Sequence, residues 1–299
     1  MPEPALLQGR IIAAHGRHYR VEMDGDGTIR HCYVRGKKSG LAVGDRVLVR
    51  PEGEEGLIVE VMPRRNLFYR SDANRSKLFA ANIDQLLLVI APEPEFSLEL
   101  ISRALVAADS AGVPVCIVLN KADLPGMEQA RARLQGFADL GVPIIEVSAL
   151  SPVAVQHSLG PRLKDRCSLL LGQSGMGKST LLNALVPNAQ AHTGALSAAL
   201  GTGRHTTTHT RLHALPQGGT LIDSPGFQAF GLQHLSADEV ERGFPELAAV
   251  AANCRFANCR HHREPGCAVQ AGIAQGDISP ERHALYLRIL EENAAGERY

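Results

Sequence analysis

A glycine-rich stretch in the middle of the chain has the residue types and spacing of a phosphate-binding loop. It comprises Gly172, Gln173, Ser174, Gly175, Met176, Gly177, Lys178, Ser179 and Thr180, with an apolar run before it and a leucine-rich segment after it. Glycines let the backbone turn tightly, so that amide N–H groups and a helix N-terminus face the anion. We expect Lys178 to reach the β- and γ-phosphates and Ser179 to supply its hydroxyl to Mg²⁺. The alternative, a glycine-rich turn that binds nothing, is disfavoured by the match at eight positions.

A second group of residues has the pattern of a loop that reads guanine. Asn120, Lys121 and Asp123 directly follow the apolar run Val115–Leu119, and such a strand end is the expected ligand crevice of an open α/β sheet. The Asp123 carboxylate can accept hydrogen bonds from guanine N1–H and N2–H₂. Adenine lacks both donors and would leave the charge unpaired, at a cost of about 1–3 kcal/mol. Asn120 would fasten the loop and the base edge, and Lys121 would lie over the ring.

The remaining base loop fits Ser148 and Ala149, which follow the next predicted strand. A backbone N–H of this loop would meet guanine O6. The pair says little alone, but beside a phosphate loop and the pattern at Asn120 it completes a guanine site.

Two further segments suit the γ-phosphate side of a nucleotide. Asp223 ends a predicted strand and is followed by Ser-Pro-Gly, so that Asp223 would hold Mg²⁺ through water and the Gly226 amide would face the γ-phosphate. Between this strand and the phosphate loop lies Gly-Arg-His-Thr-Thr-Thr at residues 203–208, in a loop expected to be mobile without nucleotide. We expect Thr207 to contact Mg²⁺, although its threonine neighbours remain alternatives.

The order of these segments differs from that of an ordinary GTPase. The base loops near residues 120 and 148 come first, and the phosphate loop and the two γ-phosphate segments come later. Because the parts are complete, we interpret the domain as circularly permuted, with its ends moved to an exposed site. The segment after Asp223 then leads directly into the C-terminal region, so the nucleotide state could move that region.

Three cysteines and a histidine near the C-terminus have metal-ligand spacing. Cys254, Cys259, His261 and Cys267 can close a tetrahedral Zn²⁺ shell, with His262 as an alternative to His261. Four protein ligands leave no open position, so we expect one structural zinc ion per chain rather than a catalytic one.

Periodicity indicates the elements that must hold these groups. Residues 1–70 show five short alternating runs without a helix, which predicts a small β-barrel; an OB fold is our choice and an SH3-type barrel is the alternative. From residue 86 onward, near-continuous apolar strands alternate with amphipathic helices, which predicts a parallel sheet covered on both faces. Ser97 is the expected cap of the first helix. Each of the first two helices has one apolar stripe, formed by Leu98, Ile101, Leu105 and Ala108 on the first and by Met127, Ala130, Leu134 and Phe137 on the second. Residues 234–299 are predicted to be helical around the cysteine cluster, with a capping box of Ser236 and Glu239 at the start of the first helix. The predicted domains are therefore 1–70, 71–233 and 234–299.

Composition limits the class of protein. The 299 residues are 44% hydrophobic and 21% charged, with no net charge, which suits two or three globular domains. The first 70 residues hold 12 basic and 9 acidic side chains, a mild excess that is compatible with phosphate-backbone contact. No apolar run approaches the length of a membrane span, so we expect a monomeric protein of the cytoplasm without membrane association.

Taken together, these features resemble one family over essentially the whole chain. The 203–208 segment, the run from Asp223 to Phe227, the permuted order, the front barrel and the Cys/His cluster are similar to the RsgA family, also called YjeQ or YloQ. The resemblance implies a GTP hydrolase stimulated by the small ribosomal subunit and acting late in maturation of that subunit. It also implies that the barrel and the zinc domain grip ribosomal RNA on either side of the GTPase domain.

One position departs from ordinary GTPases in a way that the resembled family shares. Phe227 stands where many GTPases place a glutamine that orients water, so we expect slow unaided hydrolysis. We assign catalytic roles to Lys178, Thr207 and His205, with His205 as the substitute for the glutamine.

Two rival functions remain open from the sequence. A GTP-driven metal-insertion or metabolic enzyme would need an open metal site and a second pocket. An RNA-binding scaffold would hold GTP with negligible turnover. Turnover measured with and without small ribosomal subunits separates these functions.

Overall fold

The alternating pattern of the first 60 residues forms a closed five-stranded barrel. Its strands are β1 (Leu7–His15), β2 (His18–Met23), β3 (Ile29–Tyr33), β4 (Arg46–Glu52) and β5 (Glu55–Val61). They pair in the order β1-β2-β3-β5-β4 and back to β1, and β3 and β5 alone run parallel. This order is that of an OB fold and not of an SH3-type barrel, so the OB prediction is confirmed. The computed structural model describes residues 5–36, 40–71, 76–187, 189, 210–225 and 230–296.

A hairpin that the sequence analysis did not predict follows the barrel. Its antiparallel strands are β6 (Leu67–Ser71) and β7 (Ser76–Ala81). Phe68 and Phe79 lie in contact with Phe230, with ring centroids 5.8–5.9 Å apart. The predicted domain boundary between residues 70 and 71 falls within β6, so the hairpin spans it.

Six further strands form the sheet that carries the nucleotide motifs. They are β8 (Gln85–Ile90), β9 (Val115–Leu119), β10 (Ile144–Glu146), β11 (Cys167–Leu171), β12 (Arg211–Ala214) and β13 (Thr220–Asp223). The order is β10-β9-β8-β11-β13-β12, parallel except for β12. All six residues of β8 are buried, as expected for a sheet covered on both faces. One pair, Ala13 with Arg211, joins β12 to the barrel.

Among the described residues, four helices flank this sheet. They are α1 (Leu98–Ser110), α2 (Met127–Asp139), α3 (Pro152–Leu163) and α4 (Lys178–Leu185). Ser97 caps α1 by accepting the Leu100 N–H, as predicted. The apolar stripe of α2 is buried as predicted, whereas on α1 Leu98, in the first turn, is exposed, and Ile101 and Ala108 are buried.

The C-terminal region is helical around the cysteine cluster. Its helices are α5 (Ala237–Arg242), α6 (Pro245–Ala251), α7 (Ala268–Gln275) and α8 (Pro280–Gly296). Ser236 and Glu239 form the predicted capping box of α5. The side chains of Tyr286 and Ile289 on α8 are completely buried. Within the described ranges, none of the helices combines the length and the apolar character needed to cross a membrane.

Candidate nucleotide and metal sites

The parallel strands bring the predicted nucleotide loops to one edge of the sheet. The phosphate loop follows β11, which lies between β8 and β13. Asn120 follows β9, Ser148 follows β10 with one residue between, and Asp223 ends β13. Because these strands run the same way, their carboxyl ends meet at the edge where open α/β sheets bind ligands. Segments as far apart in the chain as Asn120 and Asp223 therefore face one crevice.

Two glycines of the phosphate loop are required by close approach. A Cβ atom added to Gly172 would lie 2.3 Å from the Val89 carbonyl oxygen on β8. Gly177 has φ +86°, and a Cβ there would lie 2.3 Å from Asn120 Nδ2. No L side chain fits either position without displacing its neighbour. The loop can therefore pack against β8 and the Asn120 loop only with glycine at positions 172 and 177.

The side chain of Lys178 folds back into the phosphate loop. Its side chain is almost fully buried, and Nζ donates to the carbonyl oxygens of Gly172 (2.8 Å) and Gln173 (2.9 Å). Burial lowers the pKa of Lys178 from its ordinary value to about 8, and the Asp223 carboxylate opposes this shift. A phosphate anion beside the ammonium would also favour its charged form, so the site is electrostatically suited to a polyphosphate.

Asn120 ties the phosphate loop to both base loops. Its side chain is 1% exposed. Nδ2 donates to the Met176 carbonyl oxygen at 2.9 Å, and Oδ1 accepts from the Ala149 N–H at 3.0 Å. Asn120 was predicted to fasten its own loop and the base edge. In the structure its side chain also holds the phosphate loop and the loop after β10 together. The Ala149 N–H, which the sequence analysis placed opposite guanine O6, is engaged by Asn120 in this structure.

The other base-loop residues lie around the same crevice. Asp123 is exposed and accepts a hydrogen bond from the Ser148 hydroxyl. Lys121 has φ +62° and donates from Nζ to the Glu93 carbonyl oxygen at 2.7 Å. The Asp123 carboxylate thus remains accessible to a ligand, while Lys121 crosses toward the loop after β8.

On the γ-phosphate side, Asp223 is buried at the end of β13, paired in register with Leu170 on β11. Ser224 donates its hydroxyl to the Leu170 carbonyl oxygen at 3.1 Å. Ser179 and Thr180 lie half-buried in the first turn of α4, and Ser174 and Gly175 are exposed. Asp223 and Ser179 therefore flank the phosphate loop from the two neighbouring elements.

Several predicted residues lie outside the described part of the chain. These are Gly203, His205, Thr207, Gly226 and Phe227. Conversely, the structure adds a contact that sequence reasoning missed: the Ser97 N–H donates to Gln173 Oε1 at 3.1 Å, which links the start of α1 to the phosphate loop. Only the capping pattern at Ser97 marked this position, and it did not identify the partner.

The four predicted metal ligands come together. The ligand atoms of Cys254, Cys259, His261 and Cys267 all lie within 4.8 Å of one another. His261 Nδ1 is 3.6 Å from Cys254 Sγ and 3.4 Å from Cys267 Sγ, and these two sulfurs are 3.9 Å apart. Tetrahedral Zn–S bonds of about 2.3 Å place sulfurs about 3.8 Å apart, so the donor set fits zinc. His262, the alternative ligand, is not in the cluster.

Residues around the cluster hold the histidine in place. His261 Nε2 lies 3.0 Å from Glu241 Oε2, so Nδ1 is the nitrogen that faces the sulfurs. The His261 carbonyl oxygen accepts from Gln270 and, at 2.8 Å, lies next to His283 Nε2 on α8. A carboxylate behind a ligating histidine fixes its tautomer and raises its basicity.

Comparison with known proteins gives matches over nearly the whole chain. A family model described as RsgA GTPase matches residues 61–233. The small ribosomal subunit biogenesis GTPase RsgA of Bordetella pertussis (strain Tohama I) is 60% identical over 295 residues, 98% of each chain. The protein of the same name from Burkholderia pseudomallei (strain K96243) is 54% identical over 288 residues, 95% of this chain and 92% of the relative.

Solved structures show the same architecture. The crystal structure of YjeQ from Thermotoga maritima superposes with a TM-score of 0.74 at 28% identity, covering 97% of this chain and 99% of that one. YloQ, described as a circularly permuted GTPase, gives a TM-score of 0.69 at 26% identity, with 98% and 97% covered. Together with the strand order and the nucleotide loops, these matches show that the chain belongs to the RsgA family of circularly permuted GTPases.

Proposed function

We propose that this protein hydrolyses GTP under stimulation by the small ribosomal subunit, and that it acts late in the maturation of that subunit. The observation that supports this most is the convergence of four nucleotide loops at one sheet edge, in a chain 60% identical to a small ribosomal subunit biogenesis GTPase. GTP-dependent binding to ribosomal RNA, followed by release, would couple the chemistry to maturation. We propose that the protein acts in the cytoplasm, where ribosomal subunits mature, and that it is a monomer.

The phosphate side of the site would be formed by the loop from Gly172 to Thr180. Its amides and the N-terminus of α4 would face the phosphates, and Lys178 would leave the Gly172 and Gln173 carbonyls to contact the β- and γ-oxygens. Mg²⁺, when bound, neutralises charge on those oxygens. Ser179 and Asp223, which flank the loop, are the described residues suited to hold it, and Thr207 is the third predicted ligand.

The base side would be formed by the loops after β9 and β10. Asp123 is accessible and would accept from guanine N1–H and N2–H₂. Asn120 would hold the loops around the base through Met176 and Ala149. Lys121 would cover one face of the ring. Guanine selectivity is thus built on a carboxylate that adenine cannot satisfy.

Hydrolysis would depend on a polar group from the 203–208 segment. Phe227 cannot orient water, and His205 is the candidate that replaces the missing glutamine. We propose that the ribosomal particle orders this segment so that His205 orients the attacking water. The Gly226 amide would face the γ-phosphate.

The flanking domains would serve RNA binding. We propose units of 1–70, 71–233 and 234–299, in which the OB barrel and the C-terminal domain grip ribosomal RNA on either side of the GTPase. One structural zinc ion, held by Cys254, Cys259, His261 and Cys267, would stabilise the C-terminal domain, because binding energy at a closed metal site is folding energy.

Multiple-turnover hydrolysis of GTP and of ATP, with and without small ribosomal subunits, tests the proposal. Strong stimulation of GTP hydrolysis by subunits, and none of ATP hydrolysis, is the expected result. Negligible GTP turnover with subunits present would favour the scaffold. Turnover that depends on a small-molecule co-substrate instead would favour a metabolic enzyme, against which the closed set of four metal-binding side chains already argues.

A further inference from the structure

The segment of residues 230–235, which follows the Asp223 loop and precedes α5, is bound on one side to the hairpin after the barrel. Ser71 on β6 donates its N–H to the Gly231 carbonyl oxygen at 3.1 Å and accepts from the Gln233 N–H at 3.2 Å. Ser71 and Leu232 form a β-bridge. Phe230 packs against both Phe68 and Phe79 of the same hairpin. The segment is therefore continuous with the element that leads back to the barrel.

The other side of this segment is bound to α8. Asn293, buried near the end of α8, donates from Nδ2 to the carbonyl oxygens of Leu232 (3.0 Å) and Leu235 (2.8 Å). At its beginning, α8 lies against the metal cluster through His283 and the His261 carbonyl oxygen, 2.8 Å apart. One helix, α8, thus contacts both residues 230–235 and the metal-ligand cluster.

Arg103 on α1 forms hydrogen bonds with both the 230–235 segment and α8. Its side chain is 6% exposed, and the guanidinium forms two hydrogen bonds with the Glu292 carboxylate on α8, at 2.7 and 2.8 Å. The same group donates to Glu99 at 2.9 Å and to the Phe230 carbonyl oxygen at 3.4 Å. A buried arginine with two carboxylates and a carbonyl holds all three elements in one geometry, because loss of any partner leaves part of the charge unpaired.

The start of α1 touches the phosphate loop as well, since the Ser97 N–H donates to Gln173 Oε1. Arg103 therefore stands on a helix whose N-terminus contacts the nucleotide site. It also contacts the segment that emerges from the γ-phosphate side of that site.

We propose that the Arg103–Glu292 ion pair, which we call the clasp, couples the nucleotide state at Asp223 to the position of α8 and of the metal-binding domain. Arg103 is in this account a positioning residue: it contacts no nucleotide but holds residues 230–235 and α8 together, so that they move as one body. The inference rests on the proposed function, because it is the affinity for the small subunit that this movement changes.

The experiment measures the Kd of the full-length protein for small ribosomal subunits, once with a non-hydrolysable GTP analogue and once with GDP. The ratio of the two Kd values is the coupling between nucleotide and subunit. Glu292→Ala is expected to move this ratio toward one by about 2- to 30-fold, the range that substitutions in coupling networks produce. Affinity for the GTP analogue without subunits, and metal content, are expected to stay at wild-type values.

Two further variants make the result specific. Glu291→Ala removes the same charge from the adjacent, exposed position of α8 and should leave the ratio unchanged. Arg103→Lys keeps the charge but lacks the planar fork, and should shift the ratio in the same direction as Glu292→Ala.

The outcomes separate the clasp from the function on which it rests. A wild-type ratio of one would overturn the clasp and the GTP-dependent RNA binding of the proposed function, because there would be no nucleotide signal to pass. Stimulated GTP hydrolysis would stand or fall separately, by the turnover assay. A wild-type ratio far from one that Glu292→Ala preserves, including the case in which both Kd values change by the same factor, would overturn the clasp alone. Such parallel changes are what a merely structural role predicts.

Discussion

The side-chain amide of Asn120 donates a hydrogen bond to the main-chain carbonyl oxygen of Met176 over 2.9 Å, and it thereby joins the base loop to the phosphate loop. Asn120→Ala would leave the buried Met176 carbonyl and Ala149 N–H without this partner, at a cost of about 1–3 kcal/mol. We expect GTP and GDP affinities to fall together, by roughly 5- to 150-fold. Titration of both nucleotides checks this, with the exposed Asn258→Ala as control. A loss confined to GTP would contradict a role in both loops.

Gly177 is the neighbour that makes room for this contact. Gly177→Ala would place a methyl group 2.3 Å from Asn120 Nδ2 at a residue with φ +86°. We expect nucleotide affinity to fall at least about tenfold, since left-handed backbone costs about 1–2 kcal/mol even before the steric conflict.

A matched glycine substitution controls for the added methyl group. Gly136 lies in α2, where an added Cβ meets no atom within 4 Å, so Gly136→Ala should stabilise the protein by about 0.5–1 kcal/mol and leave affinity unchanged. Isothermal titration and thermal unfolding of both variants measure the two effects. Wild-type nucleotide affinity in Gly177→Ala would show that this packing is unimportant for binding.

Asp123 should determine the choice of base. Asp123→Asn replaces an acceptor-only carboxylate by an amide, whose donor can meet the extra ring carbonyl of xanthine. We expect GTP affinity to fall and xanthosine triphosphate affinity to rise, with ATP remaining a poor competitor. Competition binding with the three nucleotides is the measurement. Full GTP affinity in the variant, or equal hydrolysis of ATP by the wild type, would refute the guanine assignment.

Glu241 should support the metal site from behind His261. Removing its carboxylate in Glu241→Ala leaves the histidine ring free to turn, and such supporting groups are typically worth about 10- to 100-fold in metal affinity. We expect about one zinc ion per wild-type chain, weaker retention against a chelator in Glu241→Ala, and loss of metal and of C-terminal helix in Cys254→Ser.

The control for the metal prediction is Glu291→Ala, a carboxylate removed from the exposed face of α8. It should retain zinc like the wild type. A metal-free protein of undiminished stability, or a Glu241→Ala variant that holds zinc as tightly as this control, would show that the cluster has another role.

The sequence predicted best what is decided locally. The spacing from Gly172 to Ser179 defines its own strand, turn and helix, and the structure has β11 and α4 at those positions. The buried stripe of α2 and the capping box at Ser236 likewise depend on residues three or four apart.

What the sequence could not predict depends on distant partners. Asn120 and Met176 are 56 residues apart, and Arg103 and Glu292 are 189 residues apart, so no local pattern marks either contact. OB and SH3-type barrels share the same periodicity, and only the pairing of β3 with β5 separated them. His261 and His262 are adjacent and chemically equal, and the fold alone places His261 beside the cysteines. The short strand β12 pairs antiparallel to β13 and was missed because its four residues, with Arg211 and His213 among them, lack the apolar run that marks the equally short β13.

We propose that the small subunit accelerates GTP hydrolysis in its transition state, and the decisive measurement is steady-state GTP turnover across a titration of small ribosomal subunits. Lys178→Ala serves as the blank for contaminating hydrolases, and purified large subunits serve as the control particle. We expect kcat to rise steeply and saturate with small subunits, at nearly constant KM for GTP, because the stimulating contact is made mainly in the transition state. We also expect that His205→Ala still binds GTP and the subunit but loses roughly 10²–10⁴-fold of the stimulated rate. A kcat unchanged by small subunits, or raised equally by large ones, would contradict this proposal.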